Sequence, residues 1–441
     1  MTVIILVPSF PKLSETFIVS KVLGLLDLGW DVHVVCGRSD PEEWSHFPEL
    51  QRRPDLRQRV HVTMPHRPRW LVALLFPVCL VRCTIQRPLG TWRYLRMGWR
   101  RFGLDILRRF YLDAELIALG PNLVHFEFGS LAAERMYVKE LLDCRVIVSF
   151  RGYDMNYVGL GTPDYYKTVW EEADALHLLG RDLLNKAWRR GCPSDMPYAL
   201  IPPAIDPDFF DPHERKHIEV VGTQERPMRI LSVGRLEWNK GYEYALQAIR
   251  LLIDRNIYCE FHIVGEGDFF EPISFAKHQL GLQDASQLLG AQSRSQVKEE
   301  MLWADVFLHS AVSEAFCNAV MEAQAMLLPV VCTDAGGLSE NVADEETGFI
   351  VPRRDPRPLA ERLSLLARKP EIRQQMGQAG RRRVRACFPQ GKQVSEFDRL
   401  FRQVMPEDKW PGKITGETVL AHGQIETLVT ETGPSRKRRD G

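Results

Sequence analysis

Glu314 and Glu322 stand eight residues apart in a stretch, Ser310 to Pro352, that reads SAVSEAFCNAVMEAQAMLLPVVCTDAGGLSENVADEETGFIVP. The first follows an apolar run, Val306-Phe307-Leu308, that reads as a buried strand; the second lies inside a helix that begins near Asn318. Unpaired N–H groups at a helix start suit an anion such as a diphosphate. An acid on the helix can accept hydrogen bonds from ribose hydroxyls, and an acid on the preceding loop can accept them from a sugar. The layout suits a nucleotide-sugar site, with further donor contacts expected from Phe316, Cys317 and Asn318.

A second run of the same character is Val233-Gly234-Arg235-Leu236-Glu237-Trp238-Asn239-Lys240-Gly241. A strand ends at Gly234, an arginine and a lysine follow, and a helix begins after Gly241. Arginine can grip diphosphate oxygens bidentately and lysine acts as a point charge; the plainer reading is two solvated loop cations. Gly265-Glu266-Gly267 follows a strand, where glycine lets backbone approach a ligand or makes a turn. Gly290-Ala291-Gln292 is a loop of the same kind.

Taken in order, these motifs resemble the donor site of glycosyltransferase family 4, retaining transferases of GT-B fold. The family pattern is E-G-F-G, a second glutamate after seven residues, P-V-V-A-T-D-x-G-G and T-G-x-L-V-P. Here Ala315 replaces a glycine and Cys317 a small residue, while Thr333-Asp334-Ala335-Gly336-Gly337 and Thr347-Gly348-Phe349-Ile350-Val351-Pro352 follow in register. The resemblance implies that Arg235 and Lys240 bind the diphosphate and that Glu314 orients the sugar. It implies that Glu322 holds the ribose and that Gly265, Ala291 and Gln292 adjoin the nucleotide. It implies a nucleotide-diphosphate sugar as donor substrate and no obligatory cofactor or metal. Asp206-Pro207-Asp208 mimics a metal-binding D-x-D but reads as a turn.

The N-terminal half carries fewer signals. Phe10-Pro11-Lys12-Leu13-Ser14-Glu15-Thr16-Phe17 resembles the first loop of bacterial exopolysaccharide transferases, including those of colanic-acid pathways. That places Ser14, Glu15 and Thr16 at the cleft; Ser14 also reads as a simple N-cap. Arg151-Gly152-Tyr153-Asp154 stands where many relatives have His-Gly-x-Asp. Arginine cannot serve as a base, so Arg151 is either a cleft cation or one half of a structural ion pair with an acid such as Asp154. His125 ends a strand at a family position and is either a cleft residue or a satisfied core histidine.

The elements that must position these residues read as two α/β units. Val3–Val7, Asp31–Cys36, Leu123–Phe126, Val146–Phe150 and Ala175–Leu179 are apolar strands separated by helices, the pattern of a parallel sheet covered on both faces. Residues 206–228 form a linker rich in proline and charge. The second unit spans 229–386, residues 387–405 form a helix returning to the first unit (1–205), and the polar tail 406–441 lacks the apolar surface to fold. The expected fold is α/β, GT-B, with two Rossmann-like domains facing a cleft.

The 441-residue chain has no net charge, so bulk electrostatics points to no polyanionic partner and no nucleic acid. Nine dispersed cysteines without metal spacing suit a reducing, cytoplasmic compartment. Residues 67–109 depart from the average, with ten arginines against one acid, Asp105. Trp92, Leu95, Trp99, Phe102, Ile106 and Phe110 recur at helical spacing, with Arg93, Arg96 and Arg100 on another face. A basic amphipathic helix of this kind suits an anionic membrane surface, or packs on the sheet with its arginines solvated; nucleic acid is a third reading, disfavoured because no known binding motif accompanies it. The apolar run Trp70–Val81 is too short to span a bilayer. The reading is a transferase acting on a saccharide or lipid-linked acceptor. A GT-B-fold sugar epimerase and a non-catalytic nucleotide-sugar-binding protein are the alternatives.

Overall fold

Residues 1–12, 15–213, 219–407 and 410 are described by the computed structural model of the protein. Two parallel sheets organise it. The first has strands β1 (Thr2–Ser9), β2 (Asp31–Arg38), β3 (Val60–Val62), β4 (Leu123–Phe126), β5 (Arg145–Phe150), β6 (Ala175–Leu178) and β7 (Tyr198–Leu200), in the order β3-β2-β1-β4-β5-β6-β7. The second has β8 (Met228–Val233), β9 (Cys259–Val264), β10 (Ser286–Gly290), β11 (Val306–His309), β12 (Val330–Thr333) and β13 (Gly348–Val351), in the order β10-β9-β8-β11-β12-β13. In both sheets the strand order reverses beside the first strand, between β1 and β4 and between β8 and β11. Such a switch point opens a crevice at the carboxyl ends of the strands.

Val3, Ile4, Ile5, Leu6 and Val7 of β1 are all buried, because helices cover both faces of the sheet. Seven helices carry or flank the residues of interest: α1 (Thr16–Asp27), α2 (Arg69–Gln86), α3 (Pro88–Phe102), α4 (Gly152–Asn156), α5 (Arg181–Arg189), α6 (Asn318–Ala325) and α7 (Gln390–Val404). The expected return helix is α7. It lays Phe397, Leu400 and Phe401 into the core of the first sheet, and Trp30 Nε1 donates to Asp398 Oδ1 at 2.8 Å. The strand pairing Ile205↔Pro389 ties the start of the linker to the start of this helix.

The domains also touch at the cleft wall. Glu340 accepts from the backbone N–H groups of Arg181 (2.8 Å) and Asp182 (3.0 Å) at the start of α5, and Tyr157 meets Trp238 edge-on at 5.8 Å. The Asp206 Oδ1 atom accepts from the N–H of Asp208 and Phe209, so Asp206-Pro207-Asp208 is the turn expected of it.

The arginine-rich segment differs from the expected single helix. It breaks at Gly103, where φ is +54°, and resumes at Ile106. Ile106 and Phe110 are buried while Trp92 and Trp99 are exposed, so the aromatic stripe does not share one environment. Nor do Arg93, Arg96 and Arg100 form one free basic face. Arg93 pairs with Asp143 at 2.6 Å, and Arg96 stacks over Trp92 at 4.6 Å. Most of the 406–441 tail lies outside the described residues; Trp410 donates its indole N–H to the Met405 carbonyl.

Candidate active site

Strand β8 ends at Val233 and β11 at His309, the two neighbours at the switch point of the second sheet, and the loops leaving them carry the candidate donor residues. Ser310 Oγ donates to Gly241 O at 2.8 Å and Asn239 Nδ2 to Ser313 O at 3.2 Å, so the two loops are stitched together. That stitching brings Lys240 onto Glu314. The two form an ion pair with side chains only 13% and 12% exposed, and His309 Nε2 lies 3.3 Å from the same carboxylate oxygen.

Burial works against each of these charges, and their neighbours outweigh it. The Lys240 and His309 cations hold the Glu314 carboxyl down at about 2. Cys317 and Glu314 raise the His309 imidazole to about 9, and Glu314 raises Lys240 above its ordinary value. Glu314 is therefore an ionised, pinned carboxylate, suited to accepting hydrogen bonds from hydroxyls and poor at taking a proton.

Arg235 contrasts with Lys240. Its side chain is 68% exposed and its neighbour is Glu237, at 2.6 Å, so it can move onto a ligand cheaply. Gly265 makes the close approach that supports this loop. Its φ is +143°, and a side chain there would strike the Gly234 carbonyl at 2.0 Å. The turn reading of that glycine accounts for it.

Helix α6 is preceded by Cys317, whose N–H donates to Asn341 Oδ1 at 2.9 Å. Phe316 is buried edge-on against Phe388 and therefore shapes the loop from behind. Asn318 and Glu322, one turn apart, are the half-exposed residues of the helix that share a face. Burial pushes the Glu322 carboxyl up to about 7, opposed by the Arg294 cation. The Glu322 carboxylate accepts no hydrogen bond among the described residues, so its acceptor capacity is open. Ala291, Gln292 and Arg294 line a groove of about 1030 Å³ between the domains, whose other wall includes Thr16 on α1. The Thr333-Asp334-Ala335-Gly336-Gly337 turn closes under the Glu314 loop, with Gly337 N–H donating to Glu314 O at 3.0 Å.

Across the cleft, Gly152 sits opposite Ala315; a side chain at Gly152 would come within 2.9 Å of the Ala315 methyl. Arg151 precedes it and is buried. Its partner is Glu127 (Nη2 to Oε2 2.6 Å), not Asp154, and Lys21 contacts the other oxygen of Glu127. Asp154 instead accepts from the N–H of Arg151 and of Ser130, both at 2.9 Å, which caps α4. Burial lowers Arg151 to about 10, so it remains a cation at neutral pH.

Glu15, just before α1, has one carboxylate oxygen buried with no partner among the described residues. Burial raises its pKa, and Lys12, Arg151 and Arg235 work in the opposite direction. Thr16 opens the helix, and Ser14 lies outside the described residues. His125 does not line the cleft. It is fully buried, shares Ser149 Oγ with His177 at 2.7 Å on each side, and packs against Phe397 and Phe401 of the return helix. His177 Nε2 donates to Ile201 O, so Ser149 donates to His177 and His125 donates to Ser149. It is a core histidine whose Nε2 is bonded, while its Nδ1 has no hydrogen-bond partner among the described residues and lies 3.7 Å from Glu127 Oε1.

Sequence reading passed over His309, Glu127 and Lys21. His309 adjoins Ser310 at the end of an apolar strand, a usable signal; Lys21 and Glu127 lie far apart in sequence and meet only through the sheet. The ligand atoms of His309, Glu314 and Cys317 lie within 4.8 Å of one another. A divalent ion there would compete with Lys240 for Glu314, so the cluster is better described as an ion-pair centre.

Comparison with known proteins bears on this geometry. Residues 213–383, which include Arg235, Lys240, Glu314 and Glu322, match the family model "Glycosyl transferases group 1". The chain is a glycosyltransferase carrying a group 1 domain. It is 25% identical over 365 residues to the amylovoran biosynthesis glycosyltransferase of Erwinia amylovora, covering 80% of this chain and 87% of that one. It is 24% identical over 377 residues to a colanic acid biosynthesis glycosyltransferase of Escherichia coli K12, covering 80% and 88%. Among solved structures, sucrose-phosphate synthase from Thermosynechococcus elongatus superposes with a TM-score of 0.68 at 18% identity, covering 91% of this chain and 98% of that one. An Anabaena protein solved in complex with UDP-glucose gives 0.65 at 12% identity, covering 91% and 100%. The fold of this glycosyltransferase is GT-B, two Rossmann-like domains with a return helix.

Proposed function

We propose that the protein transfers a sugar from a nucleotide-diphosphate sugar to a hydroxyl of a saccharide or lipid-linked acceptor, with retention at the anomeric carbon, in polysaccharide or glycolipid synthesis at the cytoplasmic side of a membrane. The observation that carries this reading is that the loops bearing Arg235, Lys240 and Glu314 meet at the switch point of the second sheet, with Glu322 half-exposed on the adjoining helix. The names of the relatives and the sugar nucleotide bound to a structural neighbour support the substrate class.

In this reading the C–O bond to the diphosphate breaks as the acceptor oxygen bonds the same face of the anomeric carbon. The acceptor proton passes to the leaving phosphate oxygen. Arg235 and Lys240 stabilise the charge that develops on that phosphate. The carboxylates around the cleft suit positioning better than proton abstraction. Glu314 is held by two cations, Asp154 by two backbone N–H groups and Glu127 by Arg151 and Lys21. Glu15, with its free oxygen, orients the acceptor hydroxyl, and Arg151 adds positive charge on the acceptor side. A panel of nucleotide sugars offered with saccharide acceptors, followed by NMR of the new anomeric linkage, tests both substrate and stereochemistry. A product of inverted configuration would refute retention, and hydrolysis or epimerisation without an acceptor would refute transfer.

Glu322 gives a separate expectation. An ionised carboxylate can accept from both ribose hydroxyls, and hydrogen bonds to a charged group are worth about 1.5–3 kcal/mol. Glu322→Ala is expected to weaken binding of the bare nucleoside diphosphate by about 10- to 100-fold. Because Glu322 titrates at about 7, wild-type affinity should rise with pH through that value. Glu322→Gln should keep only the pH dependence of the nucleotide's own phosphate. Calorimetry at pH values on either side decides it; parallel profiles for the two proteins would remove Glu322 from the ribose site.

A further inference from the structure

We propose that α2 lies in the plane of an anionic bilayer surface with one apolar face inserted among the lipids, and so anchors the N-terminal domain. This deepens the membrane-side reading above and rests on it for the nature of the acceptor, whereas the lipid contact itself is argued from α2.

Trp70, Leu74, Val78, Val81 and Ile85 are between 59% and 78% exposed. Their spacing places them on one face along the length of the helix. The helix has 18 residues and a mean hydropathy of 1.5, yet only 17% of it is buried. At about 1.5 Å per residue it offers an apolar strip roughly 27 Å long, and a groove of about 580 Å³ runs beside Val78, Val81 and Ile85. A core helix buries such a face. This one leaves it to solvent.

The opposite face rules out a helix that crosses the bilayer. Val72, Cys79 and Cys83 are buried in the domain core, and Arg82 holds Glu115 through two hydrogen bonds of 2.6 and 2.7 Å. A spanning helix has to leave the domain; α2 is fastened to it, so the geometry is that of an interfacial helix.

Charge selects the occupant. No aspartate or glutamate occurs between Asp55 and Asp105, and every cation in that interval is arginine. Arg67 and Arg69 stand exposed at the start of the helix, and Arg96 and Arg100 are exposed on α3. A second copy of this chain docked on the stripe would bring like-charged rims together without acids between them. Anionic headgroups neutralise that rim while the acyl region takes the stripe.

The test uses the full-length protein and vesicle sedimentation. Binding is expected to vesicles containing phosphatidylglycerol and not to pure phosphatidylcholine, with a fraction persisting at high salt because insertion is not screened. Leu74→Gln, Val78→Gln and Val81→Gln together should lower partitioning on the order of a hundredfold, since each removes inserted apolar area. The same triple variant should keep the wild-type melting temperature, because these side chains support no core contact. A nitroxide-labelled lipid should quench Trp70 fluorescence. Wild-type protein that ignores anionic vesicles, or a triple variant that binds as well as wild type, overturns the inference. So does a stable dimer without lipid that the triple variant abolishes, which would assign the stripe to a second copy. Vesicle binding by a protein that transfers no sugar from any nucleotide would support the inference while removing the proposed reaction.

Discussion

Lys240→Ala is expected to cost both turnover and stability, whereas Arg235→Ala is expected to cost turnover alone. Both cations are assigned to the leaving diphosphate, and losing one charge-stabilising group typically lowers the rate about a hundredfold or more. Their structural situations differ. Lys240 is nearly enclosed against Glu314, and its removal leaves a buried carboxylate facing only His309. Breaking a buried pair from one side costs about 3–5 kcal/mol, which for a domain of this size lowers the melting temperature by roughly 6–20 °C. Arg235 is mostly exposed beside Glu237, so its loss should change stability by less than about 0.5 kcal/mol. Melting curves beside kcat for the two variants check the contrast. Lys240→Met combined with Glu314→Gln should be less destabilised than the sum of the single variants. Full additivity would mean that the pair carries no coupling.

The same cluster sets a pH window. Glu314 is depressed from 4.5 to about 2, so its contribution is complete above the unfolded value and is lost as pH falls through about 2. His309 is raised from 6.5 to about 9, so its contribution is complete below 6.5 and is lost as pH rises through about 9. The cluster should contribute most between those unfolded values, and the Glu314→Gln variant should show a flatter acid limb.

The candidate donor side was legible as a place in the fold because its residues lie in contiguous motifs. Arg235, Lys240, Glu314 and Glu322 each follow or sit within an element whose apolar run is obvious, and the switch point of a parallel sheet brings the two loops together. What the motifs did not give is pairing. That Lys240 is bound to Glu314, with His309 as third member, depends on how β8 and β11 lie side by side. The acceptor side was harder. His125 and Arg151 read alike as polar residues at strand ends, and both are buried, His125 beneath α7 and Arg151 against Glu127; what sets Arg151 apart is that it directly precedes Gly152, which faces Ala315 of the other domain. Short strands such as β3 and β7 leave too few residues to show a period. In the arginine-rich segment the apolar count was visible, but the direction α2 faces was not, because Val72, Cys79 and Cys83 are as apolar as the face left in solvent.

Glu127→Gln is expected to destabilise the N-terminal domain more than any substitution on the cleft surface. Glu127 is fully buried and faces two cations, Arg151 at 2.6 Å and Lys21, which is itself buried. Neutralising it leaves Arg151 enclosed with Asp154 already committed to backbone N–H groups, and Glu15 as the remaining nearby acid. The cost expected for an unpaired buried charge is about 3–5 kcal/mol, a fall in melting temperature on the order of 10 °C. Burial and the Arg151 charge already pull the Lys21 ammonium well below its ordinary pKa, so Lys21 can shed its proton where Arg151 cannot. Lys21→Met in the Glu127→Gln background should therefore recover only part of the loss. Function should follow through position: Arg151, which adjoins the cleft-facing Gly152, loses the carboxylate that fixes its side chain. Transfer should fall while binding of the bare nucleoside diphosphate, which we assign to the other domain, stays unchanged. A Glu127→Gln protein that melts with wild type would show that the buried triad is not an electrostatic centre. One that is destabilised but transfers sugar normally would show that Arg151 serves the fold and not the acceptor.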